Sequence, residues 1–437
     1  MSGKPFSPPD VGRGTPRSLG PRPDKAALVL SGGGARGAYE VGVMAGLVEV
    51  LGLGERSTAP FDVFTGTSVG AINATYLAAH ADRGDLGVDG LVRTWESLEL
   101  SRDVRLDPAG LLGWPRTLPF LSWGRRQKAD LGEHYGRAVL DPRPLEQIVE
   151  KSVPWERLTA NVRAGIVRAL MVSALDVAGG RTTMFAQLAE GTSVVPSKDK
   201  RREQREGPIT AEHVLASAAI PMLFPARRIG EAYYCDGGLR FNTPIAPALR
   251  AGSTRLLVVS LLHPDPPASR LRNALAQYPN PMFLLGKVLN ALLLDPVDYD
   301  LQVLARLNLL IEVLEETLPP SEFGDVMRVI ERERGLRYRH VRTLVFRPSE
   351  DIGVLAGEYL REEHPRWRGA ARIVGAALRR ARSIGQSVET DLGSFLLFDG
   401  GFARVLMDLG RRDVVSRADE VRVFFADLAA ANRPMPR

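Results

Sequence analysis

The stretch FTGTSVGAINATYLAAH, Phe64 to His80, decides how the chain is read. Gly66, Ser68 and Gly70 form a G-x-S-x-G pattern between an apolar, strand-like run (Phe61, Val63, Phe64) and a helix-like run from Ala71 to Ala79. In that context the pattern describes a nucleophile elbow, a sharp turn that presents a serine hydroxyl at the carboxyl end of a strand. The two glycines serve tight backbone angles and close approach of the helix. Ser68 is therefore the candidate nucleophile. A serine before a helix is also an ordinary cap, so other residues have to decide between the two.

Upstream, the same grammar occurs once more. Lys25 to Ser31 (KAALVLS) is a continuous apolar run, as in a parallel strand buried on both faces, and it ends in Gly32, Gly33 and Gly34. Ala35 to Leu51 follows with helical spacing at Tyr39, Val43, Leu47 and Val50. Strand, turn and helix, twice over, predict the start of an α/β sheet.

The whole sequence has 437 residues, 44% hydrophobic and 25% charged, with a net charge of +6 and one cysteine, Cys235. These are values of a globular protein with a large core. Residues 1–25 hold five Lys or Arg against two Asp, which is half of the excess charge, so the remainder carries no basic block of the kind nucleic-acid binding needs. One cysteine excludes an internal disulfide and a Cys-rich metal site. Residues 1–24, punctuated by Pro, Gly and Ser, read as a disordered tail without the apolar core of a secretory signal. No run reaches the roughly 18 apolar residues of a membrane span, so any membrane contact is expected to be peripheral and the location cytoplasmic or at a membrane surface.

Downstream, residues 84–160 read as an insertion or cap over the sheet, with a short helix near Leu145 to Lys151. Ala169 to Asp176 and Thr182 to Gln187 read as a hairpin turning at Gly179 and Gly180. Pro196 to Gly207 (PSKDKRREQREG) reads as a charged surface loop, and Thr210 to Ala219 as a helix capped by Thr210. Arg227 to Cys235 is expected as a strand pair around Gly230, Thr243 to Ala251 as a helix with Pro244 at its first position, and Arg255 to Leu262 as a buried strand. Beyond that, Phe283 to Leu294, Tyr299 to Leu318, Trp367 to Ile384 and Ala418 to Ala431 are expected helices, and Arg339 to Phe346 a strand. The apolar faces of the first two of these helices suit packing on the core better than a seat on a bilayer, because polar residues interleave.

GGGARG, Gly32 to Gly37, matches the dinucleotide fingerprint G-x-G-x-x-G. A Rossmann site needs an acidic residue at the end of the second strand. Asp62 stands at the wrong end of that strand and Glu55 in a loop, which weakens a nucleotide-binding oxidoreductase. The same turn has another use, since bare N–H groups opening a helix stabilise negative charge on a carbonyl oxygen. Gly33 and Gly34 are then the natural donors.

A serine nucleophile needs a base. The six histidines, His80, His134, His213, His263, His340 and His364, lie outside glycine-rich or strand-end settings. Asp236 follows a strand and precedes Gly237 and Gly238, a setting that exposes a carboxylate at a sheet end. An Asp-Gly hairpin turn would suit the same tripeptide.

GGGARG, GTSVG and DGG, in this order and each at a strand end, resemble the patatin-like phospholipases, relatives of the cytosolic phospholipase A2 catalytic domains. ASAAIPMLFP, Ala216 to Pro225, and NTPI, Asn242 to Ile245, flank the DGG element as in that family. The resemblance covers about Ala26 to Leu262. It implies a three-layer α/β/α fold with a mainly parallel sheet over residues 25–262; for the extension 263–437, which its own residues give as mostly helical, the family pattern predicts nothing. It further implies hydrolysis of lipid esters by a Ser–Asp dyad without histidine: Ser68 as nucleophile, Asp236 as base, Gly33 and Gly34 as oxyanion hole. Gly32, Gly37, Gly66, Gly70, Gly237 and Gly238 would shape the loops. Arg36 takes the family's basic position, where it meets a lipid phosphate or braces the loop. No cofactor is implied, and with no metal-ligand cluster in the sequence the hydrolysis is expected to be calcium-independent. A non-catalytic lipid-binding protein on the same fold stays open.

Overall fold

The structure is a computed structural model and describes residues 26–103, 138, 140–221, 223–264, 296–336, 338–361 and 391–431. The expected tail, the helices at 283–294 and 367–384, and much of the insertion lie outside the described residues.

Strand β1 (Ala26–Leu30) is fully buried, as its unbroken apolar run demands. It leads through the glycine turn into helix α1 (Ala38–Leu51). Strand β2 (Phe61–Thr67) pairs with β1 in parallel, Val29 opposite Thr65, and leads into helix α2 (Val69–Ala79). Helix α3 (Val88–Glu96) follows. The remaining strands are β3 (Ala169–Asp176), β4 (Thr182–Leu188), β5 (Arg202–Glu206), β6 (Arg227–Ile229), β7 (Ala232–Asp236), β8 (Arg255–Val259) and β9 (Arg342–Phe346).

These strands form one mixed, mostly parallel sheet in the order β5-β4-β3-β2-β1-β8-β9, with the β6–β7 hairpin attached to β3. Side chains alternate across it. Leu28, Leu30, Leu257 and Val259 join one apolar cluster with α1 and α2; Ala27, Val29, Leu256 and Val258 join another with Phe241, Ile245 and Leu304. The second layer of helices is built from Ile245–Arg250 and Pro296–Thr317. The three layers expected from the sequence are present.

β5 corrects the reading of Pro196 to Gly207 as a loop throughout: Arg202–Glu206 pairs in parallel with β4. Its charged run has no apolar alternation to betray a strand, because it lies at an edge where charge keeps further strands from pairing.

Two elements beyond residue 262 enter the same sheet and core. β9 pairs in parallel with β8, Arg255 opposite Arg342 through Val259 opposite Phe346. The helix Gly400–Ser416 lies along α1 at glycine contacts: a Cβ on Gly42 would stand 2.0 Å from the Met407 carbonyl oxygen. Tyr39 ties the pair by donating its hydroxyl hydrogen to Asp413 Oδ2 at 2.9 Å.

Candidate active site

Ser68 connects β2 to α2 with φ 55° and ψ −126°, a left-handed conformation shared among described non-glycine residues only with Leu86. Such a conformation costs on the order of 1–3 kcal/mol and persists where its surroundings over-determine it. Here they do. A Cβ on Gly66 would lie 2.3 Å from the Gly70 carbonyl oxygen, and one on Gly70 would lie 2.6 Å from those of Leu30 and Ser31. The helix therefore starts in direct backbone contact with both strands. The Ser68 N–H donates to Ser217 Oγ at 2.8 Å, and its carbonyl accepts from Ala71 and Ile72.

Asp236 reaches the same place from the other direction. β2 runs parallel to β3 and ends with Thr67 opposite Ser173; β7 runs antiparallel to β3 and ends with Asp236 opposite Ala174. The two strands share one edge of β3 and meet end to end. Asp236 is wholly buried, its N–H donating to the Ala219 carbonyl at 2.9 Å and its Oδ1 accepting from the Gly238 N–H at 2.7 Å. Oδ2 is buried without a hydrogen bond of ordinary length. Burial raises the carboxyl pKa from 3.8 to about 7, while the neighbouring Ser68 hydroxyl and the Gly238 N–H pull the other way. Ser68 is therefore a near neighbour of this carboxyl, while Oδ2 has no hydrogen-bond partner.

The glycine turn lies beside them. Gly32 is clamped by Asn242, its N–H donating to Oδ1 at 3.0 Å and its carbonyl accepting from Nδ2 at 3.1 Å. A Cβ on Gly32 would come within 3.1 Å of Ser68 Cβ. Gly34 takes φ +58°, and a side chain there would strike the Phe395 carbonyl oxygen at 2.4 Å. Among the described residues neither the Gly33 nor the Gly34 N–H donates a hydrogen bond. Gly37 faces Val69, and Gly237 faces Ser173, each too close for a Cβ. The turn brings bare donors next to the serine and leaves no room for a side chain.

Arg36 is buried in the position of a brace. Its Nε donates to Ser394 Oγ at 2.7 Å and its guanidinium stacks 4.4 Å from the centre of the Phe395 ring. Sequence reasoning had nothing to offer on its partner, 358 residues away.

Four polar residues around the site went unassigned in the sequence: Glu40, Asn73, Ser217 and Asn242. Glu40, wholly buried on α1, accepts the Ser31 N–H at 2.8 Å on one oxygen and Asn73 Nδ2 at 2.9 Å on the other. Asn73 also donates to the Gly37 carbonyl and accepts from Trp95 Nε1 at 3.1 Å. Burial pushes the Glu40 carboxyl up to about 8 against the pull of both donors. This network pins the two ends of the glycine turn to α2. Ser217 and Asn242 lie in the ASAAIP and NTPI segments, the only sequence signal that pointed toward them.

The described histidines are engaged elsewhere: His80 Nδ1 with the Tyr76 carbonyl, His213 with Thr210, and His263 with the Pro348 carbonyl, while His340 is exposed. His134 and His364 lie outside the described residues. Asp62 pairs with Arg168 at 2.8 Å, at the end of β2 remote from the glycine turn.

Comparison with known proteins identifies the family. A family model described as patatin-like phospholipase matches residues 28–249. A cGAMP-activated phospholipase of Pseudomonas aeruginosa is 27% identical over 223 residues, 51% of this chain and 55% of that protein, so the chain spans about half the length of this relative. Among solved structures, VipD from Legionella pneumophila overlaps 88% of this chain and 67% of its own at 14% identity and a TM-score of 0.30, too distant to bear on the site. With the family match running from β1 through the Ser68 elbow and the Asp236 turn to Leu249, the chain belongs to the patatin-like phospholipase family.

Proposed function

We propose that the chain is a serine acyl hydrolase that cleaves lipid esters, of the phospholipase A or lysophospholipase type, through Ser68 and Asp236. The observation that carries the reading is the end-to-end meeting of β2 and β7 on one edge of β3, which sets a strained serine against a buried carboxyl with a pKa of about 7. A carboxyl in that range accepts a proton far more readily than an ordinary aspartate, and it does so near neutral pH.

In the first step Ser68 Oγ attacks the acyl carbonyl carbon and its proton passes to Asp236. The carbonyl oxygen takes up negative charge before the Gly33 and Gly34 N–H groups, and the alcohol departs with the proton from Asp236. Water then attacks the acyl-serine, giving its proton to Asp236, and Ser68 recovers a proton as the fatty acid leaves. Gly66, Gly70 and Gly237 keep the backbones close, the Gly32 and Gly238 N–H groups hold Asn242 and Asp236, and Arg36 fixes the turn to the segment around Phe395. Among the described residues no helix is long and apolar enough to cross a membrane.

The test is mass spectrometry of a defined panel of phospholipids, lysophospholipids and neutral glycerides after incubation with the wild type and with Ser68→Ala. Release of fatty acid by the wild type alone supports the reading. Equal release by both, or release by neither from any class, contradicts it.

A further inference from the structure

On the opposite face of the sheet from α1 and α2, between β4, β5 and the helix Ile245–Arg250, lies a small recess open to solvent. Thr182, Ser197, Arg202, Gln204, Phe241 and Arg250 contribute to its lining. Arg250, the last residue of its helix, is half-buried; its carbonyl accepts from the Val195 N–H, and its guanidinium makes no hydrogen bond or ion pair among the described residues. Burial lowers its pKa, and the positive charge of Arg202 lowers it further, while Asp199 and Tyr338 only partly offset this. Arg202 lies with its guanidinium 4.4 Å from the centre of the Phe241 ring and has Asp199 at 3.5 Å. Asp300 lies near enough to feel the charge of Arg202, which lowers its carboxyl pKa against the larger rise that burial causes. Glu203, the carboxylate on the rim, is taken by Arg205 at 2.8 Å.

A half-buried guanidinium with no hydrogen-bond or ion-pair partner of its own, lining one recess with a second arginine, is short of acceptor oxygens. An anion with several acceptor oxygens relieves it, since Arg forks match phosphate geometry. We propose that this recess binds a phosphate group, with Arg250 and Arg202 as its principal ligands and hydroxyl and amide side chains of the lining around it. Phosphate monoesters in solution and anionic lipid headgroups share this chemistry.

The recess also adjoins the proposed catalytic loop. The Phe241 N–H donates to the Gly237 carbonyl at 2.9 Å, and its carbonyl accepts from Thr67 Oγ1 at 3.0 Å; Asn242, next in the chain, clamps Gly32. A ligand that draws Arg202 off the ring therefore acts on the segment that joins Asp236 to the glycine turn. The site itself stands independently of the hydrolase reading.

Calorimetry on the full chain at low salt, with inorganic phosphate and with adenosine 5′-monophosphate, tests the proposal, alongside flotation with phosphatidylcholine vesicles with and without phosphatidic acid. At least one probe is expected to bind the wild type and Ser68→Ala alike, and to bind more than tenfold more weakly to Arg250→Ala. Arg250→Lys, which keeps the charge, is expected to recover part of the loss. If Arg250→Ala does not fold, Arg202→Ala carries the same expectation. Binding of the soluble probes identifies a free phosphate ester as the source, and binding only to phosphatidic acid vesicles identifies a headgroup. Absence of binding by every probe, or binding unchanged in both arginine variants, overturns the proposal.

Discussion

Thr67 and Asp236 occupy consecutive places on one edge of β3, opposite Ser173 and Ala174, although they arrive from strands that run in opposite directions. Ser68 is the next residue after Thr67. In the proposed dyad no histidine is needed to span a gap between hydroxyl and carboxylate, because the sheet itself brings the two strand ends together. Thr67 and Ser173 add a hydroxyl contact of 2.5 Å across the junction, and Thr67 also donates to the Phe241 carbonyl.

The pH dependence of turnover follows from the environment of Asp236. A base must be ionised to accept a proton, and this carboxyl has been raised to about 7 chiefly by burial. The kcat/KM for ester hydrolysis is expected to rise with an apparent pKa near 7, to plateau above it and to fall about tenfold per pH unit below. A profile already flat at pH 5 would mean that the carboxyl titrates as an ordinary aspartate.

The same shift gives a stability prediction of definite sign. A carboxyl whose folded pKa lies above its unfolded value favours the protonated fold; its contribution is complete below 3.8 and is lost as the pH rises through about 7. Asp236→Asn removes the ionisation while an amide oxygen still accepts the Gly238 N–H. Above pH 8 the variant is expected to be more stable than the wild type by roughly 1–3 kcal/mol in urea denaturation, with turnover reduced at least about 10³-fold. Equal stability of the two proteins across pH 5 to 9 would count against the buried, unpaired carboxylate.

Glu40 predicts the opposite response to amide substitution. Each of its oxygens accepts an N–H, one from Ser31 and one from Asn73, and Asn73 is held in that orientation by Gly37 and Trp95. Glutamine would turn a donor toward a donor, so Glu40→Gln is expected to cost about 1–3 kcal/mol at pH 6 to 7, read from the denaturation midpoint. A neutral or stabilising result would show that the network rearranges freely.

Asn242→Ala removes both side-chain hydrogen bonds to Gly32 and leaves it only the longer main-chain bond to the carbonyl of residue 242, at 3.3 Å, without touching Ser68 or Asp236. The proposed oxyanion donors at Gly33 and Gly34 are then expected to lose their alignment. The expectation is a fall in kcat of about 10–10³-fold with KM nearly unchanged, since such donors act on the charge of the transition state. A change confined to KM would place Asn242 in substrate binding instead.

Much of this arrangement is legible in the sequence where local pattern and tertiary role coincide. β1 and β2 are unbroken apolar runs that end in glycine, and Ser68 and Asp236 stand at strand ends beside glycines, so backbone grammar alone marks them. The family resemblance adds the order of the three motifs. β5 was hidden because Arg202–Glu206 carries the charges of an edge, with no apolar face to count. Glu40 sits between Tyr39 and Val41 on a helix, where a carboxylate ordinarily faces water; only the burial of that face reveals it. Arg36 left two uses open, and Ser394 and Phe395, far along the chain, are what make it a brace.

Reaction with a fluorophosphonate, followed by digestion and peptide mass spectrometry, tests the central claim most directly. The account predicts one adduct, on Ser68, that Ser68→Ala abolishes and Asp236→Asn slows at least a hundredfold. A stoichiometric adduct on another serine, or a wild-type protein that hydrolyses lipid yet stays unmodified at Ser68, would contradict it.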